Sequence, residues 1–187
     1  MDIRDKIINA CRSLSQERGL HNINMDELAT RAGVSKRTVY RYFTGKEAII
    51  EATLDSFMGE AAEEVTRLLE NETEPLQILS SLQKFLFIQG QFITNPQSFN
   101  DLKQYYPYLW HKIEGFRLKQ VQSILSVITT NCKGTLMNEI DPRIVSAAIL
   151  SSIQTILNPE FVISSNLTFE ETARQLSNLF LYGFISP

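Results

Sequence analysis

Six residues in one short segment carry the types and spacing for joint chemistry. Lys36, Arg37, Thr38, Tyr40, Arg41 and Tyr42 place three cations, a hydroxyl and two phenols within seven positions. Arginine and lysine make paired hydrogen bonds to guanine edges, and flanking hydroxyls hold phosphates, so this donor set suits a nucleic acid read from a groove. The surrounding charge agrees. Between Leu28 and Glu47 there are five bases and no acid. Residues 1–50 carry nine Lys/Arg against six Asp/Glu, and residues 51–187 carry nine against fifteen, so a basic head precedes an acidic body although the whole chain is at −3. That asymmetry is expected where one end meets phosphate and the other meets something else. The plainer reading of Lys36, Arg37 and Arg41, an ordinary solvated helix face, is outweighed by the pattern around them.

Holding these donors in place falls to helices. Apolar spacing is helical nearly throughout, and no stretch alternates with period two long enough for a strand. Ile3, Ile7, Ala10, Cys11 and Leu14 form one stripe, ended by Gly19. Asn24 with Glu27 reads as a capping box for a short second helix, which Gly33 breaks. Ser35 caps a third, Lys36 to Phe43, and Thr44 with Glu47 opens a longer one from about Lys46 to Glu70. Further helices are predicted near 76–94, 97–105, 107–132, 142–157 and 168–185, with prolines after Glu74, Asn95 and Asp141 in first turns and a Thr168/Glu171 capping box. The expectation is an all-α chain of about nine helices, with a head over 1–46 and a body over 47–187.

Met25 to Phe43 fits a helix-turn-helix. Ala29 is small where two helices cross, Gly33 suits the positive φ of a tight turn, and Val34 and Val39 fix the crossing. The third helix is too short to be stable alone and must be held by the first two. These first fifty residues resemble the DNA-binding head of TetR-family (tetracycline-repressor-like) transcriptional regulators. The resemblance rests on Ile7-x-x-Ala10, Glu17-Arg18-Gly19, Leu28-Ala29, Ala32-Gly33-Val34-Ser35, Thr38-Val39-Tyr40-x-Tyr42-Phe43 and Lys46-Glu47. Two positions depart from the family: Ser15 stands where a phenylalanine usually packs the end of the first helix, and Asn24 where threonine is usual. The resemblance implies a double-stranded DNA operator as partner. It makes Lys36, Arg37 and Arg41 candidates for base edges, and Ser35, Thr38, Tyr40 and Tyr42 candidates for phosphate or base contact. Lys46 is a phosphate clamp at the start of the fourth helix, and Asn24 is a phosphate candidate while capping. Val39, Phe43, Ala29 and Gly33 read as scaffold.

In the body, the resemblance is weaker and carried by helix order and by Tyr106-Pro107-Tyr108-Leu109-Trp110 followed by Phe116-Arg117. It implies a homodimer through the last two helices and a ligand pocket between the middle ones. The residues support the first: 142–157 is apolar on two sides, with small Ala147, Ala148, Ser151 and Ser152 for close approach, and 168–185 carries Phe169, Ala173, Leu176, Phe180 and Phe184. The alternative is that both helices complete the monomer's core. For the pocket, Phe85, Gln89, Phe92, Tyr105, Tyr106, Trp110, Ile113, Phe116 and Gln120 would suit a bulky, largely apolar effector; as single residues they read equally well as core.

Neither Gly-x-Ser-x-Gly nor His-Glu-x-x-His occurs, and Gly45-Lys46 lacks the rest of a phosphate loop, so no enzyme, cofactor or metal is expected. The longest uncharged runs contain Gln, Asn, Ser and Pro, and no leader pattern opens the chain, so neither membrane nor secretion is expected. Cys11 and Cys132 read as reduced core thiols in a cytoplasmic protein. The expected function is a DNA-binding repressor released by a ligand. The alternative is a constitutive DNA binder whose body recruits a protein partner.

Overall fold

The computed structural model describes residues 2–72, 74–131 and 140–180. Among them the chain is all-α, with eleven helices: α1 (Ile3–Arg18), α2 (Met25–Ala32), α3 (Lys36–Tyr42), α4 (Lys46–Asn71), α5 (Pro75–Gln89), α6 (Gln91–Thr94), α7 (Pro96–Tyr105), α8 (Pro107–Asn131), α9 (Pro142–Ile156), α10 (Pro159–Ser164) and α11 (Phe169–Phe180). The count exceeds nine for two local reasons. The span expected over 76–94 is divided at Gly90, a residue that weakens a helix interior and here begins α6. The second addition is α10, where the Asn158 side chain accepts the Phe161 N–H at 3.0 Å and Pro159 fills the first turn. Asn166, at φ +53°, turns the chain after it. The helix ends expected at 132 and 185, with Cys132 and Phe184, lie outside the described residues.

Two compact units emerge. The first comprises the chain through Glu60 together with Gln89–Ile113; the second comprises Ala61–Ile88 and the chain from Glu114. Helices α4 and α8 contribute to both. The 1–46 segment is thus one part of a larger unit that also holds α6, α7 and the start of α8.

The first unit buries Ile7 and Leu14 of α1, Leu28 of α2, Ile50 and Leu54 of α4, Phe92 of α6 and Leu102 of α7. Full burial of each such side chain contributes about 1.5–3 kcal/mol. Arg12 links three of these helices. Its guanidinium donates to Ser56 (3.2 Å) and Glu60 (2.5 and 3.0 Å) on α4 and lies 5.4 Å from the centre of the Phe92 ring, which meets Phe57 edge-on.

Cys11 is fully buried, and desolvation pushes its thiol up to about 11 against the lowering effect of a hydrogen bond with Thr53. Burial likewise pushes the Tyr106 phenol up to about 12, helped by Asp101 and Glu47. Both groups hold their protons more tightly folded than unfolded. Their contribution to stability is therefore complete below the ordinary thiol value of 9.0 and is lost as pH rises toward about 12. The urea midpoint should fall progressively above pH 9.0, and Cys11→Ala should remove the earlier part of that fall.

In the second unit, Val65, Ile78 and Ile124 form a buried cluster flanked by Leu69 and Leu82. Helix α9 packs on α10 and α11. Arg117 of α8 reaches the carboxyl end of α9, where its Nη1 donates to the Leu157 carbonyl at 2.7 Å, a favourable place for a cation. Its Nη2 pairs with Glu114 at 2.5 Å. The Thr168/Glu171 capping box opens α11 as expected: the Glu171 N–H donates to Thr168 Oγ1 at 3.1 Å, and Glu171 Oε2 accepts the Thr168 N–H at 3.0 Å.

Candidate nucleic-acid interface

The helix-turn-helix is assembled from local chemistry at each end. Asn24 Oδ1 accepts the Asp26 N–H at 2.8 Å and caps α2. Glu27 does not complete a capping box; its carboxylate pairs with Arg18 at 2.7 Å, an ion pair that outcompetes the reach back to Asn24. Gly33 takes a left-handed conformation, φ 67° and ψ 33°, and lets the Val34 N–H return to the Ala29 carbonyl at 3.0 Å, closing α2. Ser35 Oγ then accepts the Thr38 N–H at 3.0 Å and starts α3. Val39 is fully buried and Phe43 nearly so, which holds α3 against the unit through its inner face.

The outer face of α3 is what remains. Arg37, Tyr40, Arg41 and Tyr42 are exposed, Tyr40 by 49% despite its size. The Arg41 guanidinium lies 5.4 Å from the centre of the Tyr42 ring. Among the described residues neither Arg37 nor Arg41 is paired with a carboxylate. Lys36 differs: its Nζ donates to Asp26 Oδ2 at 2.9 Å, and that hydrogen bond lifts its pKa above the usual lysine value. Thr38 is half-buried, its hydroxyl 2.9 Å from Ser35 Oγ, so both hydroxyls are engaged in the cap. Lys46 is half-buried and donates to the His21 carbonyl at 2.6 Å.

Glu17 on α1 and Asp26 and Glu27 on α2 are likewise committed. Glu17 pairs with Arg31 at 2.7 Å, and the hydrogen bond from Arg31 holds Glu17 below the usual carboxylate range. With Glu27 and Asp26 paired as well, the negative charge beside α3 is largely balanced within the head. Asp26→Asn should release Lys36 and remove an acid next to α3. Affinity for DNA of any sequence should rise about threefold at low salt, read by fluorescence anisotropy on random duplex.

The nine residues considered for an effector fall on both units. In the first, Phe92, Tyr106 and Trp110 are buried core, with Trp110 edge-on to Phe99 at 5.3 Å. Tyr105 is exposed and stacked on His21 at 3.7 Å, Gln89 is exposed and Ile113 half-buried. In the second unit, Phe85, Phe116 and Gln120 are half-buried. On α9, Ile144, Ala147, Ala148 and Ser151 line an open depression beside Asp141 and Arg143. The interactions that local spacing did not announce are the long-range ones: Asp26 with Lys36, His21 with Lys46, and α7 with α1. Among the described residues no helix is long and apolar enough to cross a membrane.

Comparison with known proteins places this geometry. Residues 7–53 match the family model for bacterial regulatory proteins of the tetR family. Over 165 residues, 87% of this chain and 85% of the relative, the sequence is 26% identical to the HTH-type transcriptional regulator YvaF of Bacillus subtilis. A stretch of 68 residues is 35% identical to the HTH-type transcriptional regulator EthR of Mycobacterium tuberculosis, covering 36% of this chain and 32% of that one. The fold also matches the solved structure of the fatty acid degradation regulator FadR of Bacillus halodurans, with TM-score 0.69 and 21% identity over 98% of this chain and 96% of the other. The glycine-closed turn, the buried Val39 and the exposed basic face of α3 all lie within residues 7–53, so the head of this chain is similar to the helix-turn-helix of tetR-family transcriptional regulators.

Proposed function

We propose that the protein is a homodimeric repressor that binds a palindromic operator and is released from it by a small, largely apolar effector. The observation that carries the DNA half is the outer face of α3, where Arg37 and Arg41 stand exposed and, among the described residues, without carboxylate partners, while Glu17, Asp26 and Glu27 are paired. Arg37 and Arg41 contact base edges, and Lys36 joins them once Asp26 gives it up. Tyr40 and Tyr42 contact phosphate or base, and the Ser35 and Thr38 hydroxyls and Asn24 contact phosphate beyond their capping roles. Lys46 contacts phosphate by exchanging the His21 carbonyl for it. The protein acts in the cytoplasm, where the DNA is.

Dimerisation is supported by an apolar face that the monomer leaves open. Ile144 on α9 is 63% exposed and Leu179 on α11 is 59% exposed, and the small Ala147, Ala148 and Ser151 flank Ile144. Two copies of the α9–α11 pair make an intermolecular four-helix bundle, and a two-fold axis there gives two heads for two half-sites.

For release, binding of the effector biases helices α4 and α8, which contribute to both units, and so changes the separation of the heads. The Bacillus halodurans relative is described as a regulator of fatty acid degradation, which makes fatty acids the first probes. The experiment is anisotropy of labelled operator with the purified protein, titrated with fatty acids of increasing length and then with an apolar-compound panel. Release by one chemical class supports the effector reading. Undiminished binding across the panel, with operator recovered together with a second protein from cell extract, favours the alternative of a constitutive binder that recruits a partner.

A further inference from the structure

Helix α7 presents polar groups to the head where burial would ordinarily call for apolar ones. Asn95 at its cap, then Ser98, Asp101 and Tyr105, recur every three or four residues and so share one side. Ser98 is fully buried and Asp101 nearly so. Ser98 Oγ and Asn95 Nδ2 both donate to the Ser15 carbonyl, at 3.2 and 3.3 Å, where α1 is ending. Asp101 Oδ2 accepts the His21 N–H at 2.8 Å, and the Tyr105 ring stacks on the His21 ring. From α4, Lys46 takes the carbonyl of that same residue. Both backbone polar groups of His21, midway between α1 and α2, are therefore held from outside the α1–α2 segment.

Helix α1 is shaped to receive this contact. Ser15 is fully buried with its hydroxyl turned back to the Arg12 carbonyl, so it adds little bulk at the seam. Gly19 has φ +80°, and a Cβ there would lie 2.6 Å from Asp101 Oδ2 and 2.6 Å from Gln97 Cγ. The departure at position 15 from the family's phenylalanine thus coincides with a polar seam.

We propose that Asp101, supported by Ser98 and Tyr105, is a positioning residue for DNA binding: α7 fixes the Gly19–Ile23 corner, and through it the angle at which α2 and α3 are presented to the operator. This rests on the DNA-binding reading above. None of these residues touches DNA; they act through His21 and the backbone leading to the Asn24 cap. A head with a loosened corner still meets phosphate electrostatically, but it no longer places base-reading side chains in register.

The test uses the full chain carrying Asp101→Ala, Asp101→Asn or Gly19→Ala, each measured well below its thermal midpoint. Asp101→Ala and Gly19→Ala should lower operator affinity about tenfold while leaving affinity for random duplex within about twofold. Asp101→Asn, which keeps a carbonyl acceptor for the His21 N–H, should restore most of the loss. Amide exchange at His21 in the free protein should accelerate in Asp101→Ala but not in Asp101→Asn. Equal losses on operator and random duplex would overturn the proposal, as would unchanged operator affinity in both Asp101→Ala and Gly19→Ala. Should the wild type select no operator, the exchange result still decides: acceleration in Asp101→Ala sustains the hold of α7 on the corner while the DNA-binding reading fails, and unchanged exchange overturns the hold itself.

Discussion

Replacing Arg37 and Arg41 together by alanine should lower affinity for the operator at least about a hundredfold and flatten base preference, because each bidentate arginine contact to a base contributes about 1–3 kcal/mol of discrimination. The structure gives these two side chains that weight over Lys36. They are exposed and, among the described residues, without a carboxylate partner, whereas Lys36 must first release Asp26. Neither arginine supports the core, which α3 reaches through Val39, so the double variant should keep the thermal midpoint of the parent. The measurement is a pair of titrations, one on operator and one on random duplex, across a range of salt. Random-duplex affinity should fall only by the loss of two positive charges, with the salt slope reduced by about two. Equal losses on the two duplexes would assign both arginines to phosphate instead of bases. Single variants separate the residues, and Lys36→Ala should be the mildest of the three.

An equally large effect is expected from breaking the α9 face. Ala148 is exposed beside Ile144 and Ser151, and Ala148→Glu would place two carboxylates near the two-fold axis of the proposed bundle, unpaired and desolvated. Sedimentation should report a monomer at concentrations where the parent is a dimer. Operator affinity should fall more than about a hundredfold, since a single head contacts only half of a palindrome. Binding to an isolated half-site should hardly change, because Ala148 and α3 lie in different units. A dimeric Ala148→Glu protein with unaltered operator binding would move the interface elsewhere. Leu179→Glu, at an exposed apolar position of α11, tests the second helix of the proposed bundle in the same way.

Much of the head is legible in sequence because its signals are local. Gly33 must turn left-handed, Ser35 must cap, and Val39 must face inward; each is dictated by neighbours within four residues, and each is found. The same locality explains the errors. Glu27 stands three residues after Asn24 and so reads as a capping partner, yet Arg18, nine residues back, takes its carboxylate. Asn158-Pro159 repeats the pattern of Asn95-Pro96 and Asp141-Pro142 and opens a helix in the same way. It was legible but masked by the apolar run of α9 before it.

Periodicity hides the polar seam entirely. Ser98 and Asp101 are polar residues that spacing alone does not send inward, and the approach of Ser15 and Gly19 is what makes them interior. For the same reason, an aromatic count in the body does not distinguish Phe92, packed on Phe57 and Arg12, from a side chain left open to a ligand. Tyr105 and Tyr106 are adjacent in sequence, but one stacks on an exposed histidine and the other is buried core.

Sequence reading by α3, two copies at a time, is what every expectation of operator binding depends on. It is tested most directly by incubating the purified full-length protein with fragmented genomic DNA at moderate salt, recovering the bound fragments and sequencing them. A single motif with two-fold symmetry is expected, its half-sites one helical turn apart or a multiple of it. Weak recovery without any shared motif, from a protein shown to be folded and dimeric, would contradict it.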